Sequence, residues 1–213
     1  MPLSADCQET ILLPLLPFPP LSWWAVAASE AFGGIFEQEL YQKQTLRNRL
    51  ELIDAQGRFT LTLPIDHAHR RRHRGCPMGD LHFSRHIEPN QLLRSVRTAY
   101  GGAPFFEHVM PELETLFRNH GPGSQEGTLG EFAKASMRMM ADWSDAQWMF
   151  QAANESRSPM NFGPSDAGSW VWPRYGQPFE DRNGFLGGCS GLDALFCAGN
   201  QWDQYLPTRS SGR

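Results

Sequence analysis

Residues 45–65 read TLRNRLELIDAQGRFTLTLPI, and this stretch decides the fold. Apolar and polar side chains alternate on both sides of a turn at 54–57, a period of two that predicts two β-strands, each with one buried face. The turn ends in Gly57, which suits a tight connection. The pattern therefore predicts a β-hairpin with arms at 45–53 and 58–65. In the first arm it puts Arg47 and Arg49 on one face, about 7 Å apart along the strand.

Shorter signals on either side of the hairpin predict the rest of the fold. Apolar runs at 11–13 and 35–36 flank a helix that Ser22 would cap, which indicates a β-α-β unit. Periodicity and capping residues predict helices at 90–100, 105–119, 128–141 and 190–198, and an apolar run predicts a strand at 148–150. We therefore expect an α/β fold in which helices flank a small central sheet with a β-hairpin. It would form a single domain at 10–206, with flexible tails at 1–9 and 207–213.

Composition narrows the class of protein. The chain has 213 residues, 20% of them charged, and a net charge of −4, which fits a globular domain and argues against a nucleic-acid binder. Its four cysteines form no CxxC pair, so free thiols in a reducing compartment are expected. The apolar stretch at 11–32 contains four prolines, and no basic residue precedes it. We therefore expect no membrane span and a cytoplasmic location.

Four groups of motifs occur in a fixed order along residues 11–206. They are LLPFPPLSWW at 15–24, YQKQTLRNR at 41–49, AYGGAPFFE at 99–107, and YGQPF, GF and CSGLDALF at 175–179, 184–185 and 189–196. Together they resemble the WbqC-like protein family, whose YQKQ-x-x-RNR signature is matched at 41–49. Glu88 and Leu92 stand where that family often has Trp and His, so no role for that His is carried over. The resemblance implies a setting in bacterial surface polysaccharide (O-antigen) biosynthesis and no particular reaction.

The YQKQTLRNR motif holds the first candidate site. Its predicted substrate-binding residues are Gln42, Lys43, Gln44, Arg47, Asn48 and Arg49. The three cations can bind the phosphate or carboxylate of an anionic small molecule such as a nucleotide-activated sugar. The alternative is a solvated strand face whose cations pair with Glu37, Glu39 or Glu51. Asn48, expected on the buried face, can instead be a structural clamp for the loop at 40–44.

The other motifs add three candidates. Asp193 lies in an apolar helical turn. It is there as a buried acceptor for an arginine such as Arg47 or Arg49, as a helix N-terminal residue where negative charge is favoured, or as a general base. Asp193 and Lys43 are the predicted catalytic residues. Ser190 and Tyr100 complete the predicted substrate-binding set, although core packing with a bonded hydroxyl also explains Tyr100. Cys189 precedes the same helix as Asp193, and the helix dipole would lower its pKa.

The segment 66–76 combines basic side chains with potential metal ligands. His67, His69, His73 and Cys76 are interspersed with four arginines, at 70, 71, 72 and 74. Clustered positive charge opposes cation binding, and the spacing fits no zinc motif, so no metal is expected. A basic loop that touches phosphates or acidic partners, or a merely solvated surface, remains. Walker, GxGxxG and GxSxG motifs are missing from the sequence, so the cofactor is unknown.

Two classes of function fit these observations. The first is a transferase of polysaccharide biosynthesis that acts on a nucleotide-linked or amino sugar. The second is a non-catalytic accessory protein that binds a glycan or a partner, other polysaccharide-assembly enzymes included. The tryptophans Trp23, Trp24, Trp170 and Trp172 suit sugar stacking or docking, and core packing explains them better.

Overall fold

The computed structural model describes residues 10–67, 76–84, 89–124, 127–153, 159–162 and 168–210. Its strands are β1 (Ile11–Pro14), β2 (Phe32–Phe36), β3 (Arg49–Asp54), β4 (Gly57–Thr62), β5 (Trp170–Val171) and β6 (Thr208–Arg209). Its α-helices are α1 (Leu21–Ala27), α2 (Pro89–Tyr100), α3 (Phe106–His120), α4 (Leu129–Asp142), α5 (Glu180–Asn183) and α6 (Gly191–Ala198). Short 3₁₀ helices cover Leu46–Asn48, Met78–Asp80 and Gly199–Tyr205.

The strands pair two by two. β1 and β2 are parallel and joined through α1, which confirms the expected β-α-β unit. β3 and β4 form the antiparallel hairpin, and β5 pairs with β6 in a third small sheet. The α/β class, with small sheets, a hairpin and flanking helices, is therefore confirmed.

The hairpin is shorter than its sequence pattern predicts. Its register runs from Arg49 opposite Thr62 to Asp54 opposite Gly57. The stretch Leu46–Asn48 is a 3₁₀ helix and not part of the strand, so the prediction that Arg47 and Arg49 share one strand face is wrong. The side chains at 47 and 48 are buried, and they bond to the Glu39 carboxylate and to the Leu63 carbonyl just after β4. The need to satisfy these buried polar groups decides the backbone here.

Helix positions agree with prediction where caps and periodicity are strong. The Thr128 hydroxyl accepts a hydrogen bond from the Glu131 backbone N–H at 3.2 Å and caps α4 as expected. In contrast, α1 follows Pro20 and Ser22 is a buried residue within it, so Ser22 is not its cap. The strand predicted at 148–150 is wrong, because Trp148 instead stacks on Trp202.

One hydrophobic cluster runs from Leu13 to Trp202 and joins the helices to the sheets. Trp23 and Trp24 are completely buried in it, and Trp170 is 7% exposed, which confirms core packing for these three. Each such ring removes roughly 150–250 Å² from water, so the cluster dominates the hydrophobic stabilisation. None of the described helices has the length and apolar character needed to cross a membrane.

Candidate functional site

A pocket of about 560 Å³ lies at the open end of the hairpin. Its lining combines basic, polar and apolar side chains: Tyr41, Lys43, Gln44, Asn48, Arg49, Thr62, Leu63, Pro64, Ile65, His67 and Ser84. Of the predicted substrate-binding residues, Lys43, Gln44, Asn48 and Arg49 are therefore brought together. This volume falls within the range of small-molecule sites.

Three chain segments form the walls of this pocket. Arg49 opens β3 directly opposite Thr62, the last residue of β4. The chain then continues through Pro64, whose carbonyl accepts a hydrogen bond from the Ser84 N–H at 2.9 Å. The loop at 41–44 forms the remaining wall, and its residue Gln44 has a left-handed backbone with φ of 59°. The pocket thus rests on hydrogen-bonded strand segments with one irregular loop at its rim.

The pocket lining is basic. Lys43 is exposed, Arg49 is half-buried and His67 is exposed, whereas the described lining residues include no Asp or Glu. Within the described part of the chain, neither Lys43 nor Arg49 makes an ion pair. Unpaired cations around a concave surface are an arrangement that binds anions.

Arg47 lies outside this pocket. Its side chain is 3% exposed, and both Nε and Nη2 donate hydrogen bonds to the Glu39 carboxylate, the former at 3.0 Å. The Gln42 amide adds a third hydrogen bond to Glu39, at 3.3 Å. The pairing with an acidic residue that we considered as the alternative therefore holds for Arg47, and neither Arg47 nor Gln42 lines the pocket.

Asn48 lines the pocket and also ties its walls together. Its Nδ2 donates to the Leu63 carbonyl at 2.9 Å, and its Oδ1 accepts from the Tyr41 hydroxyl at 3.0 Å. Both ends of the amide are thus engaged within the protein. This is the structural clamp between the loop and the hairpin that the sequence indicates as an alternative to substrate binding.

Asp193 forms a separate, fully buried centre. Its carboxylate accepts hydrogen bonds from the Tyr100 hydroxyl at 2.8 Å, the Tyr175 hydroxyl at 2.6 Å and the Gln177 amide at 2.8 Å. The expected pairing with Arg47 or Arg49 is wrong, because these three neutral donors occupy its oxygens. A substrate would reach Asp193 only if these neighbours moved, and its catalytic role stays a prediction.

The protonation equilibria of this centre follow from its burial. Burial raises the pKa of Asp193, and the hydrogen bonds from Tyr175, Tyr100 and Gln177 oppose that rise. Burial, followed by the charge of Asp193, raises the pKa of Tyr100 and of Tyr175 well above the usual value. Both hydroxyls therefore stay protonated at neutral pH and remain donors to the carboxylate.

Ser190 caps the helix that carries Asp193. Its hydroxyl accepts from the Leu192 N–H at 3.4 Å and donates to the Phe18 carbonyl at 2.8 Å. The hydroxyl thus both donates and accepts a hydrogen bond within the protein, and Ser190 is 5% exposed. The lowered pKa expected for Cys189 is wrong: burial, and then the nearby charge of Asp193, raises the pKa of this thiol.

The described residues offer no group of three His, Cys, Asp or Glu side chains that could hold a metal ion. His69 and His73 of the predicted basic loop, and its four arginines, lie outside the described residues. His67 is within them and lines the pocket at the open end of the hairpin.

Sequence reasoning missed several residues of the two centres. Glu39 entered only as one of three acids that could neutralise the motif, and His67 only as a metal-ligand candidate. Tyr175 and Gln177 stand in a recognised motif, but their partner Asp193 is 18 and 16 residues away in the chain. No local periodicity indicates such a contact.

Comparison with known proteins gives one result. The model of the WbqC-like protein family matches residues 18–160, which include the 41–49 motif and every residue that lines the pocket. No curated protein and no solved structure matches the chain. The motifs at 175–196 lie beyond the matched span. Because the match covers well over half of its 213 residues, the chain belongs to the WbqC-like protein family.

Proposed function

We propose that this protein binds an anionic small molecule, such as a nucleotide-activated sugar, in the pocket at the open end of the hairpin. The observation that carries the proposal is the pairing of Lys43 and Arg49 in one concavity whose described lining has no carboxylate. Arg49 is half-buried at the start of a strand, and an anion held beside its guanidinium in the pocket would be attracted more strongly than at a fully solvated charge.

The polar remainder of the lining suits a ligand with hydroxyl groups. Gln44, Thr62 and Ser84 supply amide and hydroxyl groups beside the cations. A sugar attached to a phosphate presents both chemistries in one molecule. Membership of the WbqC-like family supports the further proposal that the molecule is an intermediate of bacterial surface polysaccharide (O-antigen) biosynthesis.

The first candidate activity is transfer of a group from or to that sugar. In it Lys43 is the reacting or charge-stabilising residue, since its ammonium is exposed at the pocket, whereas Asp193 has no exposed surface. The second candidate is a non-catalytic binding protein. The observation that favours it is the same burial of Asp193, which leaves the described pocket lining without an acidic general base.

Ligand binding is tested by isothermal titration calorimetry and thermal shift with inorganic pyrophosphate, uridine diphosphate and uridine diphosphate N-acetylglucosamine. A ligand at one hundred times its Kd adds about 2.7 kcal/mol to stability, an easily measured shift. Arg49→Ala should weaken binding at least tenfold, because a charge-assisted hydrogen bond contributes about 1.5–3 kcal/mol. Arg94→Ala, on an exposed position of α2, is the matched control and should leave binding unchanged. Equal affinity in all three proteins would contradict the proposal.

A second experiment separates the two activities. If the protein is a transferase, the wild type should consume the bound sugar nucleotide when a cell-wall extract supplies acceptors, and Lys43→Ala should bind it without consuming it. Binding without consumption by the wild type would favour the accessory role.

A further inference from the structure

The loop at 41–45 brings Lys43 and Gln44 to the pocket, yet it has little structure of its own. Gln42, Lys43 and Gln44 are all exposed, and the segment between Leu40 and Leu46 belongs to no helix or strand. An exposed loop of this kind samples many conformations unless its ends are fixed, and each immobilised residue costs about 1–2 kcal/mol of backbone entropy. The bond from the Thr45 hydroxyl to the Gln42 carbonyl, at 2.9 Å, and the Tyr41–Asn48 bond hold it in part. Further contacts must fix the loop if Lys43 is to meet a ligand in a defined place.

The Glu39 carboxylate joins the two ends of this loop. It accepts two hydrogen bonds from Arg47, on the far side of the loop, and one from Gln42 within it. The side chains of Glu39 and Arg47 are 9% and 3% exposed. Ion pairs that are hydrogen-bonded and shielded from water are geometrically specific, because any displacement leaves a buried charge without its partner.

Glu39 is itself anchored to a neighbouring element. Its carbonyl accepts a hydrogen bond from the Met78 N–H at 2.7 Å, and Leu40 bridges to Pro77. The 3₁₀ helix Met78–Asp80 packs against α4. The backbone of Glu39, whose carboxylate closes the loop, is thus tied to a segment that packs on α4.

The same pair determines which charges reach the pocket. Arg47 lies between Lys43 and Arg49 in the sequence, but Glu39 neutralises it below the surface. Lys43 and Arg49 remain as the permanent cations of the described lining. The two roles, closing the loop and neutralising Arg47, belong to one carboxylate.

We propose that Glu39 is a positioning residue of the pocket, which acts through Arg47 and Gln42 to hold Lys43 and Gln44 where a ligand meets Arg49. The ligand-binding part of this inference rests on the function proposed above. The holding of the loop does not, and it has a readout that requires no ligand.

The test uses the double variant Glu39→Leu/Arg47→Met, which replaces both charges by apolar side chains of similar size. Such replacements of buried ion pairs commonly preserve or raise stability, so the variant should fold. NMR order parameters of the backbone at 41–45 should fall from about 0.85 in the wild type to below about 0.6, and the Kd for inorganic pyrophosphate should be at least tenfold higher. The control Arg97→Met/Glu114→Leu removes a solvent-exposed ion pair between α2 and α3 and should change neither.

Gln42→Leu provides a second route that does not depend on the double variant's folding. It removes one hydrogen bond to Glu39 from an exposed side chain, and the same order parameters should fall by a smaller amount. Wild-type order parameters and wild-type affinity in both variants would overturn the proposal. Lower order parameters, combined with no pyrophosphate affinity in the wild type, would uphold the positioning of the loop and contradict the proposed anion-binding function.

Discussion

The Tyr100 hydroxyl donates a hydrogen bond of 2.8 Å to the Asp193 carboxylate, a contact that spans 93 residues of chain. The same hydroxyl accepts a hydrogen bond from the Ile53 N–H of β3 at 3.1 Å. One oxygen atom thereby connects α2, the hairpin and α6 within the core. Both residues stand in motifs that the chain shares with the WbqC-like family. Their hydrogen bond gives each of them a structural role that requires no substrate.

Tyr100→Phe should destabilise the protein by about 2 kcal/mol, because it leaves the Ile53 N–H without its acceptor and Asp193 short of one donor in a dry environment. Urea denaturation followed by tryptophan fluorescence measures the change. Tyr205→Phe is the matched control, since Tyr205 is half-buried and its hydroxyl makes no hydrogen bond within the described residues. Equal stability of the two variants would show that the Tyr100 hydroxyl is energetically unimportant.

The raised pKa of Asp193 predicts a particular dependence of stability on pH. A carboxyl whose folded-state pKa exceeds the unfolded value of about 3.9 favours folding when protonated. Its contribution is therefore complete below that value and is lost as pH rises through the folded-state pKa. The unfolding free energy of the wild type minus that of Asp193→Asn should fall across this interval.

Comparison with Asp193→Asn is needed because other carboxyl groups titrate in the same range. Asparagine cannot titrate, so the difference between the two proteins isolates position 193. A difference that rises with pH would mean that the three hydrogen bonds outweigh desolvation and that the folded-state pKa is lowered.

Buried and exposed ion pairs in this protein should respond very differently to the loss of one partner. Arg47→Met leaves the Glu39 carboxylate buried without its cation, and we expect a loss of about 3–5 kcal/mol. Arg97→Met breaks the ion pair with Glu114. The side chains of Arg97 and Glu114 are 42% and 33% exposed, so the loss should be no more than about 1 kcal/mol. Chemical denaturation of both variants measures the two losses in stability. Equal losses would mean that the charge of Arg47 contributes little and that packing holds its side chain.

Local patterns predicted most of the fold. The hairpin, the β-α-β unit and the caps of α4 and α6 follow from alternation and capping residues within a few positions of one another. The 3₁₀ helix Leu46–Asn48 was not predictable in this way, since the residues that pull it out of the strand bond to Glu39 and to the Leu63 carbonyl. At these positions the burial of polar side chains, and not the alternating pattern, determines the backbone conformation.

The candidate site was predictable only in part. Lys43, Arg47 and Arg49 were predicted to bind an anion together. Lys43 and Arg49 do line one pocket, but Arg47, between them in sequence, is paired with Glu39 and buried. Whether a cation of the motif faces solvent or a buried carboxylate depends on where Glu39 lies. Glu39 is outside the motif, and its position is determined by the fold. Asp193 is a similar case, because its charge is met by hydroxyl and amide groups that no charge pattern reveals.

Gly130 tests how closely the helical layer approaches the segment that anchors Glu39. A Cβ at this position in α4 would lie 2.6 Å from both the Cα atom and the carbonyl oxygen of Gly79, and backbone atoms cannot rotate away. Alanine improves helix propensity by about 1 kcal/mol over glycine, whereas overpacking of a tight contact costs about 1–3 kcal/mol. Because the added methyl group would meet the backbone of Gly79, the cost of overpacking should exceed the gain in helix propensity. Gly130→Ala should therefore destabilise the protein by about 1–2 kcal/mol.

The control is Gly102→Ala, where nothing lies within 4 Å of the added methyl group. Its stability should stay within about 0.5 kcal/mol of the wild type. Thermal and urea unfolding of both variants decide the matter, and a stabilised Gly130→Ala would mean that α4 and the Met78–Asp80 helix can separate without cost.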